Sequence, residues 1–296
     1  MWKILQLTYH DFVADKCFRM AAALAFHAAF SLAPLSVLII MMAGLFVSPE
    51  DVSGEVHAKT AQALGPEAAT TIHATAVYLQ TSAQGYWAAF LSACGVVFGG
   101  TNLMVELQAA LDEIWKVQPD PRRGGVTNFI FKRVVSFAMI LAIALVLLAS
   151  MLLSWVIARV MGFATGWFGD EFSATLVFYA DMGVMLLVYI VVFTAIFRFV
   201  PDAKVAWSDA AVGGLATGVA FLIGRNAIGA YLGSQDLATM YGAGGSIAVM
   251  LLWVYYSAVL ILLGAEFTQA WSKHWGEKPV PLEGAVEVPP APENPV

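Results

Sequence analysis

The stretch VMLLWVYYSAVLILLGAEF (249–267) decides the fold class of this chain. It contains one charged side chain, that of Glu266, in 19 residues. A helix needs about 20 mainly apolar residues to cross the hydrocarbon core of a membrane. Together with the small residues before it, the stretch predicts a membrane span from Gly242 to Phe267.

The composition of the whole chain agrees with this prediction. Of the 296 residues, 60% are hydrophobic and 12% are charged, whereas a soluble domain carries about 25% charged residues. So few charges cannot cover a water-exposed surface, which leaves lipid as the solvent for much of the chain. The formal net charge is −6, so no basic excess indicates a nucleic acid as partner. Membrane lipids are the expected partners.

Five further runs are long and apolar enough to be spans, so we predict an all-α, polytopic membrane protein. Its membrane domain covers residues 1–275, with spans at about 20–47, 86–105, 134–158, 176–197, 206–232 and 242–267. The segments before the first span and between the first two spans predict amphipathic interfacial helices. The tail 276–296 is rich in Pro and Glu and predicts a disordered cytoplasmic segment.

The basic residues predict the orientation. If the six spans alternate, 12 of the 15 lysines and arginines fall on one side of the membrane. They lie in the N-terminal segment, after the second span, after the fourth span and in the tail. Because short cytoplasmic loops carry an excess of Lys and Arg, we predict that both termini are cytoplasmic. The outer loops instead carry seven acidic residues, Glu50, Asp51, Glu55, Glu67, Asp170, Glu171 and Asp236.

Ionisable side chains within spans are costly and are candidates for function. By a rise of 1.5 Å per residue, Arg225 lies about 10 Å from the outer end of the fifth span, and Asp181 about 6 Å from that of the fourth. The two either pair inside the bundle, or Arg225 snorkels to the headgroups and Asp181 sits among them. Three carboxylates, those of Glu106, Asp209 and Glu266, fall near cytoplasmic span ends and are expected to reach water.

Three polar residues are weaker candidates for the same cavity. His27 in the first span is suited to relay protons, but an interhelical hydrogen bond is the commoner role and the one we favour. Asn102 adds an amide to the second span, and Tyr241 begins the glycine-rich run that opens the sixth. We therefore predict a substrate-binding set of Arg225, Asp181, His27, Asn102 and Tyr241.

The sequence suggests no metal or cofactor site. The five histidines show none of the HxH, HxxxH or HExxH spacings, and no phosphate-binding loop or hydrolase elbow is present. Phosphodiester hydrolysis usually needs carboxylates or histidines close together around a metal. Because the charged residues are dispersed among loops, we predict that the protein is not an enzyme.

Four segments carry a resemblance to a known family. They are AAALAFHAAFSLAPLSVLII (21–40), LDEIW (111–115), FRFVPDAKVAWSDAAVGG (197–214) and YGAGGSIAVMLLWVYYSAVLILLGAEFTQ (241–269). In this order they resemble the YihY/virulence factor BrkB family over roughly residues 10–272. His27 stands where the family commonly has an aromatic residue, and Asp112 stands where it has Asn.

The resemblance implies a six-span bacterial inner-membrane protein without a settled activity. The family has carried a ribonuclease label, ribonuclease BN, and links to envelope integrity, serum resistance and export. We expect an exporter or flippase of a lipid-like or small anionic solute. The alternative is a structural, envelope-integrity protein without transport, and a ribonuclease is the third and weakest reading.

Overall fold

The computed structural model describes residues 2–28, 30, 85–120, 170–234 and 243–288. Most of these residues are helical, because a helix satisfies its backbone donors and acceptors internally where lipid offers none. The helices are α1 (Trp2–Ala14), α2 (Cys17–Ala28), α3 (Gly85–Trp115), α4 (Asp170–Phe199), α5 (Trp207–Ser234) and α6 (Ala243–Trp275). Four short strands are β1 (Val117–Pro119), β2 (Ala203–Lys204), β3 (Val280–Pro281) and β4 (Ala285–Glu287).

The helices agree with the predicted spans where both can be compared. Helices α3, α4, α5 and α6 cover the second, fourth, fifth and sixth predicted spans. Three described segments are long and apolar enough to cross a membrane: Met182–Phe199, Trp207–Arg225 and Leu251–Trp275. The third predicted span and the loop 48–84 lie outside the described residues, so the count of six spans stays a prediction.

The contacts divide the chain into two compact units. Unit 1 is made of Met1–Cys17, Gln108–Ile223 and Leu260–Val296, and unit 2 is made of Phe18–Leu107 and Gly224–Val259. Helices α3, α5 and α6 therefore contribute segments to both units, whereas α4 lies wholly within unit 1.

In unit 1, helices α5 and α6 touch through a reciprocal pair of glycines and threonines. A Cβ added at Gly213 would lie 1.8 Å from Oγ1 of Thr268, and one added at Gly264 would lie 1.9 Å from Oγ1 of Thr217. Each threonine hydroxyl donates to the glycine carbonyl four residues earlier on its own helix, at 2.7 and 2.6 Å. Small residues allow such close approach of helices in a membrane domain.

Unit 1 also gathers the described ends of several helices, which we call the basic end. The amide of Gln269 on α6 donates to the Ile114 carbonyl on α3. The backbone N–H of Asp202 donates to Oδ1 of Asp112 at 2.6 Å, and the hydroxyl of Ser272 donates to Oδ2 of Asp209 at 3.0 Å. In the part that the structure describes, three of the four segments that the sequence groups as basic, those after the second and fourth predicted spans and at the start of the tail, thus meet in unit 1.

The prediction that the tail is disordered from Gly276 onward is wrong for residues 276–288. Strand β4 pairs antiparallel with β1, and β3 pairs antiparallel with β2. The Leu282 N–H donates to the Asp202 carbonyl at 2.9 Å, and the Val288 N–H donates to the Lys116 carbonyl at 2.9 Å. Low hydrophobicity predicted disorder, but the loops after α3 and α4 supply backbone partners that composition does not reveal. Residues 289–296 lie outside the described residues.

An aromatic and cationic group lines the turn from α4 to α5. The rings of Phe199 and Trp207 meet edge to face at 5.5 Å, and the guanidinium of Arg198 lies 5.6 Å from the Trp207 ring centroid. The same guanidinium donates to the Val205 carbonyl. Exposed Trp beside Arg is typical of a membrane–water interface, so the group indicates where the basic end leaves the lipid.

Candidate functional site

The predicted candidate Arg225 lies on α5 and is half-buried. The residue before it, Gly224, marks a close contact within unit 2, because a Cβ there would lie 1.5 Å from the hydroxyl oxygen of Tyr256 on α6. Its proposed partner Asp181 lies on α4, where the structure describes the backbone alone, and Tyr241 lies outside the described residues. The pairing of Arg225 with Asp181 therefore stays a prediction.

His27 has an acidic neighbour in unit 2. Its Nε2 lies 4.0 Å from Oε2 of Glu106 on α3, so two ionisable side chains from different apolar helices approach each other. Asn102 lies one helical turn before Glu106 on the same face of α3. The structure thus brings His27 to an acidic residue that the predicted site set did not include.

The most deeply buried carboxyl group of the described core is that of Glu266, on α6 in unit 1. Glu266 is 0% exposed. The thiol of Cys17 donates to its Oε1 at 3.4 Å, whereas its Oε2 has no hydrogen-bond partner in the described part of the chain. The expectation that Glu266 reaches water is therefore wrong, because its carboxyl group is buried against Cys17, far away in sequence.

Other charged groups surround this carboxyl group. Asp15, in the turn between α1 and α2, lies within hydrogen-bonding and Coulombic reach of Glu266, and Asp11 lies within Coulombic reach. Oδ1 of Asp15 accepts from Nζ of Lys116 at 2.6 Å, while Oδ2 of Asp15 has no partner among the described residues. We call Asp11, Asp15, Cys17, Lys116 and Glu266 the carboxyl cluster.

The helix face that carries Glu266 is anchored on both sides. Leu262, one turn before it, is 0% exposed, and Gln269, one turn after it, is 2% exposed. The Gln269 amide donates to a carbonyl at the end of α3, and its Oε1 accepts from Nζ of Lys273 at 3.0 Å. These contacts fix the rotation of α6, and on this face Glu266 meets Cys17.

Asp209 is also buried, at 2% exposed, so the expectation that it reaches water is wrong as well. Its carboxylate lies in the first turn of α5, where the helix dipole favours negative charge. It accepts from the Ser272 hydroxyl at 3.0 Å and from the Glu277 N–H at 3.2 Å. Both of these donors contact Oδ2, and the Ser208 hydroxyl donates to Oδ1 at 3.4 Å. Because both oxygens are engaged, we assign Asp209 a structural role.

Asp112 has a structural role too. Its Oδ1 accepts from the backbone N–H of Asp202 at 2.6 Å, and Gln108 donates to Oδ1 of Asp202 at 2.7 Å. These bonds tie the end of α3 to the turn after α4. A side-chain amide oxygen accepts the same backbone donor, so Asn at position 112 would preserve the contact.

The sequence of this chain is similar to those of known proteins. A sequence profile described as virulence factor BrkB matches residues 8–286, nearly the whole chain. The chain belongs to the virulence factor BrkB family. This confirms the resemblance carried by the four segments of the sequence. No solved structure matches the fold.

Relatives of this BrkB family member are known as membrane proteins. A UPF0761 membrane protein of Stenotrophomonas maltophilia strain R551-3 is 30% identical over 268 residues, which is 88% of this chain and 59% of the relative. One from strain K279a is 29% identical over 265 residues, with the same coverage. One from Pseudomonas paraeruginosa is 25% identical over 290 residues, or 94% of this chain and 66% of the relative. The chain thus spans about three fifths of the length of the Stenotrophomonas relatives.

The sequence did not predict the carboxyl cluster, because its members are far apart along the chain. Glu266 ends the segment that most resembles the BrkB family, LLGAE, and a carboxylate inside an apolar run is itself a signal. Its position near the end of the span suggested access to water instead. What buries it, the N-terminal turn around Asp15 and Cys17, is about 250 residues away in sequence, and no local pattern predicts that contact.

Proposed function

We propose that the protein is an exporter or flippase of a lipid-like or small anionic solute in the bacterial inner membrane. The observation that carries this proposal is the half-buried Arg225 within α5. Arg225 lies within α5 and not at its end, because the helix continues past it to Ser234. A guanidinium is retained at such a depth where it pairs with an anion or faces a wet cavity.

The surroundings of Arg225 support an inward role. Gly224 lets α5 and α6 approach closely at Tyr256, so the backbone beside Arg225 is packed against another helix. A guanidinium presents a planar fork of donors that suits carboxylates and phosphates. We therefore propose that Arg225 contacts the anionic group of the solute, with Asp181, His27, Asn102 and Tyr241 lining the same path.

The test uses the full chain in phosphatidylcholine liposomes with a trace of fluorescent phosphatidylglycerol, and follows loss of fluorescence when a membrane-impermeant reductant is added. We expect faster movement of this anionic probe than of fluorescent phosphatidylcholine. A parallel sample measures efflux of entrapped glycerol phosphate, which separates a lipid substrate from a free phosphate. For whichever of the two anionic probes the wild-type protein moves, Arg225→Gln should reduce the transport rate about tenfold, which is equivalent to about 1.4 kcal/mol.

Two control variants sharpen this test. Arg225→Lys keeps the charge but loses the fork, so it should retain intermediate activity. Lys204→Gln removes an exposed cation and should leave the rate unchanged. If the wild-type protein moves neither anionic probe, the transport proposal fails and the structural, envelope-integrity role takes its place.

A further inference from the structure

Arg198 lies in the last turn of α4, in the segment FRFVPDAKVAWSDAAVGG (197–214) that carries part of the family resemblance. The apolar segment Met182–Phe199 is long enough to cross a membrane, so Arg198 lies where α4 leaves the lipid. This arginine has no part in the proposed transport path. Its contacts indicate a different role.

The guanidinium of Arg198 is held in place by the chain that directly follows α4. Its Nη1 donates to the Val205 carbonyl, and its Cζ lies 5.6 Å from the centroid of the Trp207 ring. Val205 lies in the loop before α5, and Trp207 is the first residue of α5. Because the turn already positions the guanidinium, an anion that binds there orders little that was mobile before.

No carboxylate pairs with this guanidinium among the described residues, where its contacts are the carbonyl and the indole ring. The two acidic residues nearest in sequence bind other donors: Oδ1 of Asp202 accepts from Gln108, and Asp209 accepts from Ser272. Nε of Arg198 is buried and has no hydrogen-bond partner in the described part of the chain. Buried donors are rarely left without an acceptor, so we expect a group outside the chain to supply one.

The chemistry of that group follows from the free edge of the guanidinium. With Nη1 engaged, Nε and Nη2 of Arg198 remain as two parallel donors on one edge. Such a fork binds two oxygens of a phosphate or a carboxylate group. A phosphate is the anionic group that phospholipids place at the depth where a helix such as α4 leaves the membrane.

Two exposed aromatic rings beside the guanidinium indicate that the phosphate belongs to a lipid. Trp207 is 58% exposed and Phe199 is 54% exposed, and their rings meet edge to face at 5.5 Å. Amphipathic indole rings are typical of the headgroup level of a membrane. A soluble phosphate would leave both rings in water, whereas the acyl chains of a lipid cover them.

We propose that Arg198, Phe199 and Trp207 form a binding site for an anionic phospholipid. The lipid phosphate accepts from Nε and Nη2 of Arg198, and the acyl chains cover the two rings. Basic pockets at the ends of membrane helices bind anionic headgroups in this way. The choline group of phosphatidylcholine would bring a second cation near the guanidinium, so an anionic lipid is preferred. The site lies in unit 1, whereas Arg225 lies in unit 2, and lipid binding at the site requires no transport.

A lipid bound at this site links the end of α4 to the start of α5. It also stabilises the loop between them, which contains β2 and therefore the pairing of β2 with the tail strand β3. Added phosphatidylglycerol should for this reason raise the melting temperature of the wild-type protein in detergent, and it should have a smaller effect on Arg198→Gln.

The site is located by photocrosslinking of the full chain in a neutral detergent. The probe is phosphatidylglycerol with a diazirine close to its glycerol esters, and peptide mass spectrometry identifies the crosslinked residues. We expect crosslinks within residues 199–208. Unlabelled phosphatidylglycerol should suppress them at a concentration about tenfold lower than phosphatidylcholine. Inorganic phosphate is the third competitor and should leave the crosslinks unchanged.

Three variants test the roles of the residues. Arg198→Gln should lower the crosslink yield about tenfold, whereas Arg19→Gln, which removes an exposed arginine of unit 2, should give the wild-type yield. Trp207→Leu should lower the yield about threefold, because the loss of one exposed cation–π contact corresponds to that factor. Since Trp207→Leu changes an exposed side chain and keeps Arg198, it stays informative if Arg198→Gln does not fold.

Several results would overturn the lipid site. They are crosslinks that fall only outside 199–208, equal suppression by the two lipids, and a wild-type yield in both Arg198→Gln and Trp207→Leu. Suppression by inorganic phosphate would assign the guanidinium to a soluble anion instead. If the expected crosslinks form and neither anionic probe is transported in liposomes, the proposed function fails while the lipid site stands.

Discussion

The thiol of Cys17 donates a hydrogen bond to Glu266, 249 positions away in sequence, with 3.4 Å between Sγ and Oε1. This contact joins the first residue of α2 to the last turns of α6. It covers a carboxyl group that belongs to an apolar helix.

The burial of Cys17 leads to a prediction about its reactivity. Cys17 is 0% exposed, and thiols buried in this way react slowly with alkylating reagents. In a Cys94→Ser background, N-ethylmaleimide should modify Cys17 at least about tenfold more slowly than a cysteine placed at exposed Ala14 in a Cys17→Ser chain, as followed by mass spectrometry. Equal rates at the two positions would show that Cys17 is not buried against Glu266.

The glycine–threonine contact between α5 and α6 predicts a strong effect of a single methyl group. Gly264→Ala should destabilise the protein by about 1–3 kcal/mol, because the added Cβ overlaps the Thr217 hydroxyl. Thermal unfolding in detergent measures the loss. Gly183→Ala is the matched control, since nothing lies within 4 Å of its Cβ position. A similar melting temperature for both variants would contradict the close contact.

The strand pairing of the tail predicts that it stabilises unit 1. Ending the chain at Lys278 removes β3 and β4 together with the hydrogen bonds of Leu282, Gly284 and Val288 to the loops. At about 1 kcal/mol for each bond, we expect a melting temperature lower by about 5–10 °C. Ending the chain at Val288 is the control and should have no such effect. Equal losses would place the stabilisation elsewhere.

The topology prediction concerns the side of the membrane on which each end lies. With Cys17 and Cys94 replaced by serine, a membrane-impermeant maleimide added to intact cells should modify a cysteine at Ala63 and not one at Gly124. The reason is the concentration of Lys and Arg in the segments predicted to be cytoplasmic. Labelling of position 124 alone would show that the chain has the opposite orientation in the membrane.

The ribonuclease label leads to the last prediction. We expect purified protein to leave a fluorescent RNA substrate intact, with or without added Mg²⁺ or Zn²⁺, because phosphodiester hydrolysis needs a ligand cluster or a positioned base. Gel analysis of the RNA measures this. RNA cleavage that follows the protein through purification and disappears in Glu106→Gln or Glu266→Gln would establish an enzyme.

The sequence by itself determined the membrane environment and the places of the helices. An apolar run such as 249–267 can satisfy its backbone in lipid only as a helix, so α6 follows from composition and length. The concentration of basic residues also grouped four segments, and the structure brings the described parts of three of them together around Asp209, Asp112 and Gln269. These inferences hold because they depend on local composition.

Only the tertiary structure decided which polar residues are buried and by what. Distance from a span end suggested that Glu266 and Asp209 reach water, but Glu266 is buried against Cys17 and Asp209 against the start of the tail. The composition of the tail predicted disorder because it contains no information about the strands that pair with it, β1 and β2, which belong to distant loops. Burial and strand pairing depend on contacts between segments far apart in sequence, and hydropathy along one segment contains no information about the segment that packs against it.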